Sequence, residues 1–214
     1  MADETTPELY QLHLWIYQIS PMIWRRLLVR SDSSLASLHH AIQIAFGWTD
    51  SHLHRFRIHG RDEGVSRVGG PSFARDAHQV RLADFQFRLN ERFLYEYDFG
   101  DGWQHVVRVE RHLAVEPRRT YPVCVGGRRA APPEDCGGPW AFQERRDAVP
   151  GQVRQHLERV IEGVDAGDRE AIRDELEAVE SLRAWLTPDR FDRREVNRRL
   201  RLYAAGDARW RAGH

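Results

Sequence analysis

The stretch 93-FLYEYDFGDGWQHVVRVE-110 limits this chain's folding options most. Two runs of alternating apolar residues flank Gly-Asp-Gly, and period-two alternation around a glycine turn is the pattern of a β-hairpin. Two registers compete. With Asp101-Gly102 as a two-residue loop, Asp98 faces His105 across the ladder, within reach of a charge-assisted hydrogen bond or a shared metal. With Gly100-Asp101-Gly102 as a three-residue loop and Gly102 left-handed, Phe99 pairs with Trp103, Tyr97 with His105, Tyr95 with Val107 and Phe93 with Val109. The second register keeps each pair on one apolar face, whereas a one-residue slip moves Glu96 and Asp98 onto the face of Trp103, Val107 and Val109. The hydrophobic pattern therefore selects the three-residue loop, which turns Asp98 away from His105 and surrounds that histidine with aromatics.

The other elements follow from the same two periodicities. Residues 10–19 alternate, with Tyr10, Leu12, Leu14 and Ile16 on one face, and a second strand is expected at 22–29. Leu35, Leu38, Ala41, Ile42, Ala45 and Phe46 recur at helical spacing between serines and Gly47, which predicts a helix over 35–46. Strands are expected at 52–58, 86–99 and 103–111, with a long Gly-rich loop at 60–80. Beyond residue 140 the texture is helical: a short helix at 140–147, an apolar stripe from Val153 to Val164, a longer one from Ile172 to Leu186, and a helix at 193–205. Asp192 and Glu195 have capping-box spacing for that last helix, Phe191 and Val196 the spacing of a hydrophobic staple, and Gly206 supplies the stop. The fold class is thus α+β: a single domain with a largely antiparallel sheet, a helix after the first two strands and a carboxy-terminal helical region. Its boundaries read as a tail at 1–8 and a domain at 9–214, sheet-rich over 9–140 and helical over 141–205.

Composition removes several classes. No apolar run approaches the roughly 18 residues of a membrane span, and MADETTPELY has acids where an export signal needs a basic and then an apolar stretch, so a cytoplasmic location without a membrane partner is expected. The 32 basic and 32 acidic residues balance, leaving no global field toward nucleic acid. Every basic residue is arginine. Charge is nevertheless segregated: residues 158–180 hold nine acids and three arginines, and 190–211 hold eight arginines and three acids. Two helices so charged are expected to attract each other, while phosphate contact through Arg194, Arg198 and Arg199 is the nucleic-acid alternative.

Several residues invite chemistry. His52 and His54 lie two apart on an expected strand, a spacing that can place two imidazoles on one zinc. With His105, Cys124 and Cys136 they form a candidate set for a divalent metal, although Cys-x11-Cys is not a recognised zinc spacing. Glu134 and Asp135 lie between the two cysteines in a rigid Pro/Gly loop. The candidate binding residues for an unknown protein or peptide partner are Asp98, Asp101, Trp103 and His105 of the hairpin and Glu134 and Asp135 of that loop. No phosphate-binding glycine loop, HExxH or GxSxG is present.

Ile23-Trp24-Arg25-Arg26, Leu38 to Trp48 with Asp50, His52, Leu53 and Phe56, Tyr95 to Trp103 with His105, Tyr121-Pro122 with Cys124 and Gly126, and Pro132-Pro133-Glu134-Asp135-Cys136-Gly137-Gly138 together resemble the plasmid pRiA4b ORF-3-like family. The resemblance covers roughly residues 9–200. Ala141-Phe142 departs from it, because family members more often have Gly-Tyr after the tryptophan. The resemblance implies an α+β domain carried on plasmids or mobile elements, and for some members a resolvase-like label as a transposon passenger. It names no activity. Strand exchange needs a nucleophilic Ser or Tyr among arginines, and no such constellation is evident here. A binding or accessory module using the DFGDGW hairpin and the PPEDCGG loop is the leading expectation. A metal-dependent hydrolase or nuclease and a DNA-binding protein are the alternatives.

Overall fold

Alternating burial builds a seven-stranded sheet. The computed structural model describes residues 7–66, 72–73, 75–186 and 190–211. Its strands are β1 (Glu8–Ile16), β2 (Trp24–Arg30), β3 (His54–Ile58), β4 (Arg61–Glu63), β5 (Arg92–Tyr97), β6 (Trp103–Ala114) and β7 (Val123–Arg128), in the order β4-β3-β5-β6-β1-β2-β7. All six pairings are antiparallel. The helices are α1 (Leu35–Phe46), α2 (Gly138–Ala166), α3 (Arg169–Ser181), α4 (Arg183–Leu186) and α5 (Arg193–Ala204). These elements make one α+β domain.

Helix α1 begins and ends where the sequence places it. The Ser34 side chain accepts from Ser37 N–H, and Gly47 at φ 78° closes the last turn. Its inner side, including Leu35, Leu38, Ala41 and Ile42, joins Leu12, Leu14, Leu27, Tyr95 and Val107 in one core. Helix α5 is capped by Asp192, which accepts from Arg194 and Glu195 N–H. Glu195 does not complete the box, because its carboxylate is taken by Arg198 at 2.7 Å. At the far sheet edge Asn197 of α5 pairs with both backbone groups of Cys124, at 2.8 Å each, and so seals β7.

Several expectations change. The hairpin pairs Tyr97 with Trp103, Tyr95 with His105 and Phe93 with Val107, a two-residue shift from the expected register. Asp98 stops the strand at φ 57°, and its Oδ1 accepts from Gly100 and Asp101 N–H, so the loop spans five residues, 98–102. A two-residue shift leaves the apolar face intact, which is why the pattern alone did not detect it. The strand expected from residue 86 begins at Arg92, because 82–85 form a 3-10 turn followed by left-handed Gln86 and Asn90. Strand β7 lies where only turns were expected. Helix α2 runs unbroken through Pro150, joining what read as two helices.

The charge-segregated helices do not pair as expected. Helix α3 packs on α2 and buries no residue, while α5 packs on β7 and α1. Among the described residues no ion pair joins α3 to α5; Glu175 meets His156 and Arg159 of α2, and Arg198 meets Glu195 of its own helix. Leu157, Ile161, Val164 and Leu176 remain exposed on the α2–α3 pair.

Candidate functional site

Tyr95 and Tyr97 are two apart on β5 and therefore share a face. Each hydroxyl organises a polar cluster, and the two clusters differ in what their donors have left to offer. At the end of the strand, the Tyr97 hydroxyl donates to Glu134 Oε1 at 2.6 Å and accepts from Ser51 N–H at 3.0 Å and His52 N–H at 3.3 Å. Burial and the hydrogen bond to Glu134 push its pKa well up, so it is a neutral donor. Glu134 Oε2 accepts from the Thr49 backbone at 3.0 Å and hydroxyl at 2.8 Å. One oxygen thus ties three segments together: the turn after α1, the end of β5 and the PPED loop.

The next residue of each segment then converges. Asp98 follows Tyr97, Asp135 follows Glu134, and His52 follows Ser51. His52 Nε2 stands 3.1 Å from Asp135 Oδ1 and 3.8 Å from Asp98 Oδ2. The nitrogen is shielded from solvent and makes no hydrogen bond. Asp98 is buried, with Oδ1 held by the loop backbone and its own N–H bonded to Leu53 O at 2.9 Å. Asp101 ties the hairpin tip to the PPEDCGG loop by accepting from Gly137 N–H at 3.2 Å.

The second cluster involves residues the sequence reading did not select: His39, His40 and Asp50. Gln43 donates to the Tyr95 hydroxyl at 2.9 Å, and that hydroxyl lies 2.8 Å from His39 Nδ1. In the neutral tautomer this puts the His39 proton on Nε2, 2.7 Å from Asp50 Oδ1. His40 reaches Asp50 Oδ2 at 3.5 Å and the Tyr203 hydroxyl at 3.3 Å. Burial alone would raise the Asp50 carboxyl, but the bonds from His39 and His40 hold it well below the usual carboxylate range. A signal existed in the sequence: His39 and Gln43 are polar residues four apart on the apolar face of α1, and buried polar groups need partners.

The remaining candidates are dispersed. His54 is buried, its ring stacked on His39 at 3.5 Å between centroids, so it does not share a site with His52. His105 is fully buried among Phe46, Trp48 and Tyr95, and burial lowers its pKa to about 3, with the Trp103 and Tyr95 backbone offsetting little. Trp103 is equally buried and packs against Trp48 and Phe142, so it presents no surface to a partner. Burial pushes both thiols up, Cys136 to about 11 with help from Asp101. Among the described residues two groups of three donors have all ligand atoms within 4.8 Å, His39-His40-Asp50 and His52-Asp98-Asp135; His54, His105, Cys124 and Cys136 belong to neither. Of the three candidate arginines, Arg199 is buried with Nε on Trp210 O, Arg198 is committed to Glu195, and Arg194 forms no ion pair among the described residues.

A cavity of about 720 Å³ opens on the other flank of Glu134. Ile23, Phe46, Trp48, Pro132, Phe142 and Trp185 give it apolar walls, and Arg129, Arg146 and Arg190 add cationic groups, of which Arg146 is paired with Asp147 at 2.8 Å. Trp48 is fixed by its Nε1–H bond to Pro132 O at 2.9 Å. Phe142, the departure from the family's usual tyrosine, is part of this apolar wall. The hairpin tip contributes nothing to the lining, so the expected groove between hairpin and PPEDCGG loop is corrected: the tip packs on the loop through Asp101, and the space lies between the loop, the end of α1 and α2.

A crystal structure of a protein of unknown function, MM3350 from Methanosarcina mazei Go1, superimposes with a TM-score of 0.64 at 34% identity, covering 90% of this chain and 98% of that one. The uncharacterized protein y4hQ of Sinorhizobium fredii (strain NBRC 101917 / NGR234) is 31% identical over 159 residues, which span 74% of this chain and 81% of the relative. No helix among the described residues is long and apolar enough to cross a membrane. Residues 8–199 match the family described as plasmid pRiA4b ORF-3-like protein, and the chain belongs to that family.

Proposed function

We propose that this protein is a binding module whose ligand is an anionic amphipath: an apolar or aromatic body carrying a carboxylate or phosphate. The observation that carries this reading is the cavity beside Glu134. Its size falls within the roughly 300–1,000 Å³ of small-ligand sites, with apolar walls and a few charged groups to set orientation. Aromatic walls supply affinity through buried area, and arginine suits a planar acid better than lysine does. His105, the residue a catalytic reading of the hairpin needs most, is neutral and enclosed by aromatics, which favours a module over hairpin-centred catalysis. DNA binding through α5 has less support, because Arg199 is part of the packing and Arg198 is already paired.

The test uses anilinonaphthalene sulfonate, an anionic aromatic probe, on the full chain. One saturable site is expected. Ala131→Trp, which fills the cavity, should weaken it by about tenfold or more, and Arg190→Gln by several-fold. Displacement by medium-chain carboxylates or by acidic aromatic peptides then separates a small-molecule ligand from a peptide. Unsaturable binding, or a site indifferent to Ala131→Trp, contradicts the proposal.

A further inference from the structure

The geometry points to a divalent metal site of the zinc or manganese class formed by His52 Nε2, Asp98 Oδ2 and Asp135 Oδ1. Bonding capacity is left unspent at His52. His52 Nε2 is shielded from water, yet makes no hydrogen bond to either nearby carboxylate. An imidazole in simple partnership with a carboxylate sits at hydrogen-bond distance from one oxygen, as His39 does with Asp50 at 2.7 Å. His52 Nε2 is also near one oxygen, Asp135 Oδ1 at 3.1 Å, but without hydrogen-bond geometry, and it faces a second, Asp98 Oδ2, at 3.8 Å. Donors on one zinc at metal–ligand distances of about 2.0–2.2 Å lie about 3–3.5 Å apart, so the first separation fits and the second needs a few tenths of an ångström of contraction, with all three ligand atoms within 4.8 Å of one another.

The ligand types fit as well. One imidazole nitrogen with two carboxylate oxygens suits zinc or manganese and leaves coordination positions open for water or a substrate oxygen. The positioning is built in. Asp98 Oδ1 is occupied by Gly100 N–H at 3.0 Å, which turns Oδ2 toward His52. The Tyr97 hydroxyl fixes the backbone of His52 and the carboxylate of Glu134, the residue before Asp135, in the way that outer hydrogen bonds orient metal ligands. Asp135 is the exposed member at 75% of its side-chain surface, which gives an ion a way in. Neither the hairpin nor the PPED loop holds this set alone.

The inference stands independently of the cavity reading. The test starts from the full-length chain stripped with chelator, titrated with zinc by calorimetry and with manganese by the loss of free-ion signal in electron paramagnetic resonance. One equivalent of either ion is expected to bind. Asp135→Asn and His52→Gln should each weaken binding by about tenfold or more, while His40→Gln leaves it unchanged. The Asp135 side chain is exposed, so its variant keeps the experiment decisive should His52→Gln fold poorly. Circular dichroism without metal confirms the fold, and anilinonaphthalene sulfonate binding by Asp135→Asn reports the cavity separately. No saturable binding, or one equivalent retained by both variants, overturns the site.

Discussion

The two histidine–aspartate clusters flanking Tyr95 and Tyr97 use the same chemistry to opposite ends. Around Tyr95, the donors and acceptors of His39, His40, Gln43 and Asp50 meet one another or a tyrosine hydroxyl. Around Tyr97, the anchoring groups are satisfied, but His52 Nε2, facing an oxygen of Asp98 and one of Asp135, makes no hydrogen bond. Residue type therefore does not separate structure from function in this chain. What distinguishes the proposed site is convergence: its unsatisfied nitrogen faces two carboxylates, whereas the Tyr95 cluster spends its donors and acceptors on itself.

The sealed region should break first and hardest. Its largest expected signature is acid sensitivity. His105 titrates near 6.5 when unfolded and near 3 when folded, so the unfolded chain binds more protons between those values. Stability is full above pH 6.5 and falls as the pH drops toward 3, by on the order of 4 kcal/mol over the window. Urea unfolding at several pH values should show this slope, and His105→Leu should flatten it; an unchanged slope would mean that His105 is not the buried neutral group described here. Next comes Tyr95→Phe, which strips the shared partner from His39 and Gln43 and should cost about 2–3 kcal/mol in the same assay. A loss below about 0.5 kcal/mol would show that the Tyr95 cluster is not structural.

The seam between the loops should respond differently. Gly138 adopts φ 80°, and a β-carbon there would collide with the Asp101 carbonyl. Gly138→Ala should therefore push the hairpin tip off the PPEDCGG loop, costing about 2 kcal/mol and weakening metal binding together, by thermal melts with and without zinc. The smallest expected effect is the most discriminating. Asp135→Asn should change stability without metal by less than about 0.5 kcal/mol, as for an exposed surface residue, while abolishing any zinc-induced rise in Tm.

What the sequence discloses follows the range of the interactions. Helix α1 was legible because both its caps and its apolar spacing are local. Helix α5 was legible for the same reason, although its Glu195 turned to Arg198 instead of the cap. Strand β7 was not, since its Gly126 and Gly127 lack strand propensity and its place comes from β2 and Asn197. The hairpin face was correct while its register was displaced by two, because Asp98 takes a left-handed conformation that alternation does not encode. His52, Asp98 and Asp135 were each chosen from residue type, but their convergence was not visible. It depends on Tyr97 joining segments 37 and 46 positions apart from it, a fact of topology rather than of spacing.

The most direct test of the contrast is a long-range nitrogen–proton NMR spectrum of the histidine side chains before and after one equivalent of zinc. The His52 Nε2 resonance should move to the position of a metal-bound imidazole, while those of His39, His40 and His105 stay in place. Movement of His39 or His40 with His52 unmoved, or no movement at all, would contradict the division into a sealed cluster and an open one.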